Sequence, residues 1–274
     1  MTARGLLFAA LAIVVADASG APLRVCADPN NLPFSNRAGQ GFENRIAELL
    51  AEDMHRQLRY AWWPQRRAFA RNTLKADRCD LWIGVAAGVQ GLDTTAPYYR
   101  SSYVFVTRAD RSLDIRSFDD PRLRELVVGV QMIGNDATNT PPAHALARRG
   151  ITSNVRGYMV YGDYAAQNPE APILRAVADR EIDVAVVWGP LAGYFAQHSR
   201  TPLRLRAVEP PADGPLLPMT FDIAAGVRPG DVELKRDVER VLLQRRDAIA
   251  HILDTFGVPR VAAGTPALAD SRRP

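Results

Sequence analysis

The chain has 274 residues, 47% of them hydrophobic, with 34 Lys and Arg against 30 Asp and Glu for a formal charge of +4. A chain of this length has room for two lobes and a large buried core, so it needs no covalent staple to fold. Its charges are interspersed without a concentrated basic block, which argues against nucleic-acid binding and leaves docking to an acidic protein open.

The first segment, Met1 to Ala21, carries one early basic residue, Arg4, then the apolar run Leu6 to Val15, then small residues around Ala16 and Ala18. That is the order of a cleaved secretory signal, and the apolar run is half the roughly 20 residues a spanning helix requires. Cleavage is expected after Ala18, or less favourably after Ala21, and no later segment is apolar for long enough to span a membrane. The expected location is therefore outside the cytoplasm.

From Leu23 to Phe34 the sequence LRVCADPNNLPF runs from a strand into a polar loop, and GFENRIAELLAEDM follows with Ile46, Leu49, Leu50 and Met54 at helical spacing. This strand–loop–helix order sets Asp28, Asn30, Asn31 and Phe34 at the carboxyl edge of a sheet, where open α/β folds bind ligands. The competing reading is that Asp28, Asn30 and Asn31 only build a turn by bonding their own backbone. A second strand over Leu58 to Trp63, a helix from Arg67 to Ala76 and a strand over Cys79 to Val85 complete a right-handed βαβαβ unit with a parallel sheet. Trp62, Trp63, Gln65, Arg66 and Arg67 fall where the second strand ends. Strand alternation lets only one tryptophan face a cleft; Trp63 is assigned there and Trp62 to the core, with the arginines free to meet an anion or a partner's carboxylate. Cys26 and Cys79, the only cysteines, lie in predicted strands of an exported chain, so a disulfide is favoured over two separately buried thiols.

Pro97 to Arg108 reads as a long strand crossing between lobes, and the charged stretch from Ala109 to Arg124 interrupts the pattern. A second α/β series then follows: strand Leu126 to Gln131, strand Tyr158 to Tyr161, helix Pro172 to Arg180, strand Ile182 to Trp188 and a short helix from Pro190. It offers Gln131 and Asp136 after its first strand, and Trp188, Gly189 and Tyr194 where the last strand turns into a helix. Trp188 suits either a cleft wall or interlobe packing, whereas Tyr98, Tyr99 and Tyr103 suit hinge packing. Met219 to Val227 returns beside the first crossing, giving a two-strand hinge. Asp231 can cap one long helix with Leu234, Val238, Val241, Leu242, Ile249, Ile252, Leu253 and Phe256 on one face. The expected organisation is a leader over residues 1–21, a first lobe from 22–107 and 219–259, a second lobe over 108–218, and a flexible tail over 260–274.

The four histidines are dispersed without metal-ligand spacing, and no GxSxG elbow, Walker A loop or GxGxxG fingerprint occurs. No metal, no cofactor and no catalytic residue are expected. An enzyme using Asp28 or Asp136 as a base would rest only on carboxylates near a cleft.

The order of elements, a discontinuous first lobe enclosing a second, resembles a type 2 periplasmic solute-binding protein of solute-binding family 3. More specifically, VCADPNNLPFSN, GFENRIAELLA, WWPQRRAFARNTLKA, CDLWIGV, PYYRSSYVFVTR and VVWGPLAGYFA resemble, in order, the MxaJ/XoxJ family of quinoprotein-dehydrogenase-associated binding proteins. The resemblance implies an α/β fold of two lobes, each a mostly parallel sheet flanked by helices. It further implies a non-catalytic periplasmic accessory or activation partner of a pyrroloquinoline-quinone-dependent methanol or alcohol dehydrogenase, monomeric when free. The alternative is a transport receptor that delivers a small polar solute to an ABC permease. Ordinary amino-acid binders of that superfamily place a Thr and an Arg after the third strand to pin the ligand carboxylate, but here the loop reads Ala86, Ala87, Gly88, Val89, Gln90, so an ordinary α-amino acid is not the expected ligand. Val128 to Ala137, VGVQMIGNDA, resembles the superfamily segment whose backbone amides hold anions, one residue longer.

Overall fold

A computed structural model describes residues 20–134 and 139–262. In the first lobe, β1 (Gly20–Ala27) lies between β4 (Arg56–Trp62) and β5 (Leu81–Ala86), parallel to both. Between β1 and β4 come the short antiparallel pair β2 (Asn30–Asn31) and β3 (Ser35–Asn36) and the helix α1 (Phe42–Asp53). The helix buries one stripe: Phe42, Ile46 and Leu50 are fully inaccessible and pack with Leu23, Val25, Leu81 and Ile83. Each such side chain contributes about 1.5–3 kcal/mol through removal from water, enough to fix α1 on the sheet. After β4 come α2 (Phe69–Asn72), β5 and the short β6 (Asp93–Thr94).

The long strand β7 (Tyr99–Arg108) then leaves the first lobe. The second lobe contains β8 (Val128–Met132), α3 (Pro141–Arg148), β9 (Val155–Met159), α4 (Pro172–Ala178), β10 (Val184–Trp188), α5 (Gly189–Gln197) and β11 (Leu203–Ala207). The chain returns through β12 (Thr220–Val227) and ends on α6 (Val232–Gln244) and α7 (Arg246–Thr255), which cover the first-lobe core. The strand order is β4-β1-β5-β12-β7-β10-β8-β9, with β11 on β7 and β6 on β12. One strand joins the two lobes: Tyr99 to Ser102 of β7 pair antiparallel with β12, and Tyr103 to Thr107 pair antiparallel with β10. At that joint Arg100 meets Asp222 across the ladder through two bonds of 2.6 and 2.7 Å, a bidentate geometry that fixes the register of the two crossing strands.

The central second-lobe strand β10 is apolar throughout because both of its faces are covered. Val184 and Val186 of β10 face Phe105, Ile115, Leu123 and Leu146, while Ala185 and Val187 face Ile173, Val177 and Leu191.

Several elements differ from the sequence expectation. The helix expected over 67–76 is only the single turn of α2 followed by a 3-10 turn, Leu74–Ala76, because Ala68 takes a left-handed conformation and the Thr73 hydroxyl bonds back to the Phe69 carbonyl at 2.7 Å. The single long helix after Asp231 breaks at Arg245, whose guanidinium turns aside to Asp53, and the Asp231 side chain makes no cap. Residues 260–262 do not trail away: the Val261 amide donates to the Arg100 carbonyl at 3.0 Å and Arg260 pairs with Asp254. Of the expected leader over 1–21, residues 1–19 lie outside the described residues and Gly20 and Ala21 already belong to β1; of the expected tail over 260–274, residues 263–274 lie outside them. Helix α3 and strand β11 are too short to leave a periodic signal of their own.

The expected disulfide is present, joining Cys26 to Cys79 with Cα atoms 5.4 Å apart and closing a separation of 53 residues beneath Phe69 and Leu74. On loop-closure grounds, reduction or the paired change Cys26→Ala with Cys79→Ala should lower the unfolding free energy by about 2–4 kcal/mol in chemical denaturation, without loss of the secondary structure seen by circular dichroism.

Candidate binding cleft

The end of β1 delivers Asp28 into a site that is only 4% exposed. A carboxylate in such a place must be matched by donors, and three converge on it. Its Oδ1 accepts the Asn30 amide at 2.8 Å, an Asx turn, and the Tyr164 hydroxyl at 2.5 Å; its Oδ2 accepts the Gln65 amide at 2.5 Å. The Asn30 side chain donates to the carbonyls of Tyr164 at 3.3 Å and Ala166 at 3.0 Å, and Asn31 donates to the Gln65 side chain at 3.1 Å. Arg66 lies 5.0 Å over the Tyr164 ring. Asp28, Asn30, Gln65 and Arg66 are thus brought together, but around the second lobe's own loop, which clasps the first lobe. Burial, then the bond to Asp28, raises the Tyr164 hydroxyl above the usual phenol range. Tyr164 sits in the loop segment YGDYAAQNP, which carries no periodic signal by which it could be singled out.

An open pocket of about 310 Å³ also lies between the lobes. Phe34 enters it from the first lobe; Gln131, Val160, Glu170, Trp188 and Leu191 from the second; and Tyr103, Phe221 and Ile223 from the crossing strands. Trp188 stands edge-on to Tyr103 with centroids 5.4 Å apart and to Phe221 at 5.8 Å, and its backbone N–H donates to the Gln131 side-chain carbonyl at 2.9 Å. Glu170 makes no side-chain hydrogen bond among the described residues; burial, with the charge of Asp28 second, holds its carboxyl well above the ordinary range. Tyr103 and Phe221 belong to the crossing strands, so hinge packing and cavity lining are the same duty here. Glu170 is the residue sequence reasoning missed outright.

Other expected site residues fall elsewhere. Trp63 packs on the disulfide cluster with Arg78 5.0 Å over its ring, and Trp62 stacks on Tyr60 at 4.5 Å beneath Arg37, so neither tryptophan faces the cavity. The exposed Arg67 does not line it. Gly189 serves close packing instead: a Cβ there would meet the Ser102 carbonyl at 2.5 Å and Pro259 at 2.8 Å. Tyr194, one turn beyond the cavity-lining Leu191, stacks on Phe256 at 5.8 Å and so buttresses α5 against α7. Asp136 lies outside the described residues.

Of the segment suggested as an anion site, Val128 to Ala137, residues 135–137 lie outside the described residues; the Ile133 amide donates to Asn139 Oδ1 at 3.0 Å, as does the Thr140 amide beyond the segment at 2.9 Å. The loop after β5 closes on itself, with Gly88 donating to Thr94 and Val89 to the Ala86 carbonyl, and no Arg or Lys is among the cavity's lining residues. Among the described residues no group of three or more His, Cys, Asp or Glu is disposed to hold a metal ion. Beneath the cleft Glu43 is buried, its carboxyl crossing Gly84, where a Cβ would lie 1.9 Å from Oε1; burial, then Asp28, pushes Glu43 up to about 8.

Comparison with known proteins gives the chain its family. It is 36% identical over 244 residues to the protein MoxJ of Methylorubrum extorquens, spanning 86% of this chain and 81% of that protein. The chain belongs to the MxaJ/XoxJ family of periplasmic binding proteins. MoxJ of Paracoccus denitrificans is 31% identical over 254 residues, covering 86% of this chain and 88% of that protein. The crystal structure of the periplasmic binding protein XoxJ from Methylobacterium extorquens AM1 superposes with a TM-score of 0.72 at 37% identity, over 88% of this chain and 100% of that one. MxaJ from Methlophaga aminisulfidivorans MPT gives 0.73 at 27% identity, over 87% and 100%. An ancestral cationic amino-acid solute-binding protein gives 0.65 at 19% identity, over 86% and 95%, a likeness of fold alone. No family model matches the chain.

Two predictions follow from the family member's clasp and its buried acid. Tyr164→Phe deletes one bond to a buried charged group, an effect of about 1.5–3 kcal/mol on the clasp; amide exchange should accelerate at residues 28–31 and 161–167, and unchanged protection would mean the clasp does not hold the lobes. Because the Glu43 carboxyl lies higher in the folded than in the unfolded chain, the folded state binds more protons, and stability from its neutral form, full below about 4.5, should decline as pH rises through about 8. Glu43→Gln should flatten that decline in denaturation curves taken from about pH 5 to about pH 9.

Proposed function

We propose that this protein is a non-catalytic periplasmic binding protein that acts as accessory or activation partner of a pyrroloquinoline-quinone-dependent methanol or alcohol dehydrogenase. The reading is carried by one observation: kinship to MoxJ and XoxJ extends over nearly the whole chain, at 36% and 37% identity, and the structure keeps their two-lobed architecture. The cleft chemistry supports it. Asp28 and Asn30, at the edge where a solute receptor would contact its ligand, are committed to the Tyr164 loop, and the carboxylate-pinning arginine of amino-acid binders has no counterpart after β5. We read residues 22–107 and 219–259 as one lobe and 108–218 as the other, turning about β7 and β12.

Affinity purification from the native periplasm at low salt should recover a quinoprotein dehydrogenase, and deletion of the protein should depress that enzyme's activity. Recovery of no dehydrogenase together with normal activity in the deletion strain would end this reading. A second reading, delivery of a small polar solute to an ABC permease, draws on the interlobe cavity of about 310 Å³. It requires a solute that does not depend on an arginine for its capture.

A further inference from the structure

Three rings form a steep-sided corner in the cavity wall. Tyr103 and Trp188 meet at 64°, Trp188 and Phe221 at 77°, and Tyr103 and Phe221 at 73°, with centroids 5.4, 5.8 and 6.3 Å apart. Phe34, Val160, Leu191 and Ile223 make the rest of the wall largely apolar. The acidic member is Glu170, whose carboxyl has no hydrogen bond and no ion pair among the described residues. Gln131 has its carbonyl committed to the Trp188 amide, and no lysine or arginine is among the described residues that line the space.

Such a wall discriminates by charge. Ring faces attract a cation through their quadrupole, and Glu170, whose neutral form burial favours while no cation is near, gains from a bound cation the partner that lets it ionise. A carboxylate or phosphate ligand would meet Glu170 and electron-rich rings with no cation to receive it. A zwitterionic amino acid would gain at its ammonium and lose at its carboxylate. We propose that the interlobe cavity binds a compact organic cation, an alkyl- or quaternary ammonium group, with Tyr103, Trp188 and Phe221 receiving the cation on their rings and Glu170 supplying the countercharge. The site goes beyond the partner role: it can exist whether or not the protein docks to a dehydrogenase, and the two fail in separate experiments.

Calorimetric titration of the full mature protein with choline and tetramethylammonium tests this, with 3,3-dimethylbutan-1-ol as the neutral isostere of choline and acetate as a small organic anion. The ammonium compounds should bind, choline at least about tenfold more tightly than its neutral isostere, and acetate should give no saturable heat. Glu170→Gln and Trp188→Leu, each with an unaltered circular dichroism spectrum, should weaken choline about tenfold or more, while Trp62→Leu, at the end of β4 between Tyr60 and Arg37 and not among the cavity's lining residues, should leave it unchanged. Equal binding of choline and the isostere would overturn the proposal, as would no binding of either ammonium compound to the unaltered protein, or choline affinity insensitive to both cavity variants. The isostere comparison needs no variant, so a misfolded Trp188→Leu protein would not shelter the idea.

Discussion

The charge of Asp28 is the constraint on which the rest of this cleft depends. A carboxylate withdrawn from water to 4% exposure requires donors, and the chain supplies them from its own next turn, from the loop after β4 and from Tyr164 of the opposite lobe. Satisfying one buried group therefore joins three segments that are distant in sequence. The same charge reaches beyond its bonds: it adds to burial in lifting both Glu43 under the cleft and Glu170 in its wall. The acids around this cleft form one electrostatic unit centred on the first loop.

The crossing strands set what such a unit can do. Because β7 pairs with β12 at one end and with β10 at the other, the lobes share a continuous backbone ladder, and the Arg100–Asp222 fork locks its register. Aromatic residues on these strands pack where the ladder passes between lobes, so the joint and the cavity wall are built from the same side chains. A receptor whose floor is an aromatic joint, and whose polar edge residues bond to its own opposite lobe, favours a recognition role distinct from the carboxylate capture of amino-acid receptors. That is consistent with membership of a family whose solved relative XoxJ is named a periplasmic binding protein without mention of a particular solute.

Much of the architecture was legible because its signals are local and strong. The strands β1, β5, β7, β10 and β12 are apolar or alternating runs bounded by polar turns, and the disulfide follows from two cysteines in an exported chain. Short elements were not legible: α3 and β11 owe their existence to the sheet they pack on, and the break at Arg245 depends on a partner, Asp53, far away in sequence. In the cleft, Gln131 and Trp188 line the cavity from the ends of β8 and β10, and Phe34 from the turn between β2 and β3. The likewise expected Trp63 and Tyr194 do not, since a strand or helix fixes spacing but not which face the rest of the protein covers.

The sequence by itself determined the two-lobed α/β order, the family and the cysteine pair, because hydrophobic periodicity, turn residues and ordered motif blocks are properties of neighbouring residues. Only the tertiary structure decided that Asp28 is held by Tyr164, that Glu170 has no countercharge among the described residues, and that Tyr103, Trp188 and Phe221 share one corner. The physical reason is range: donors, desolvation and ring geometry depend on contacts between segments up to 136 residues apart, and no local pattern encodes them.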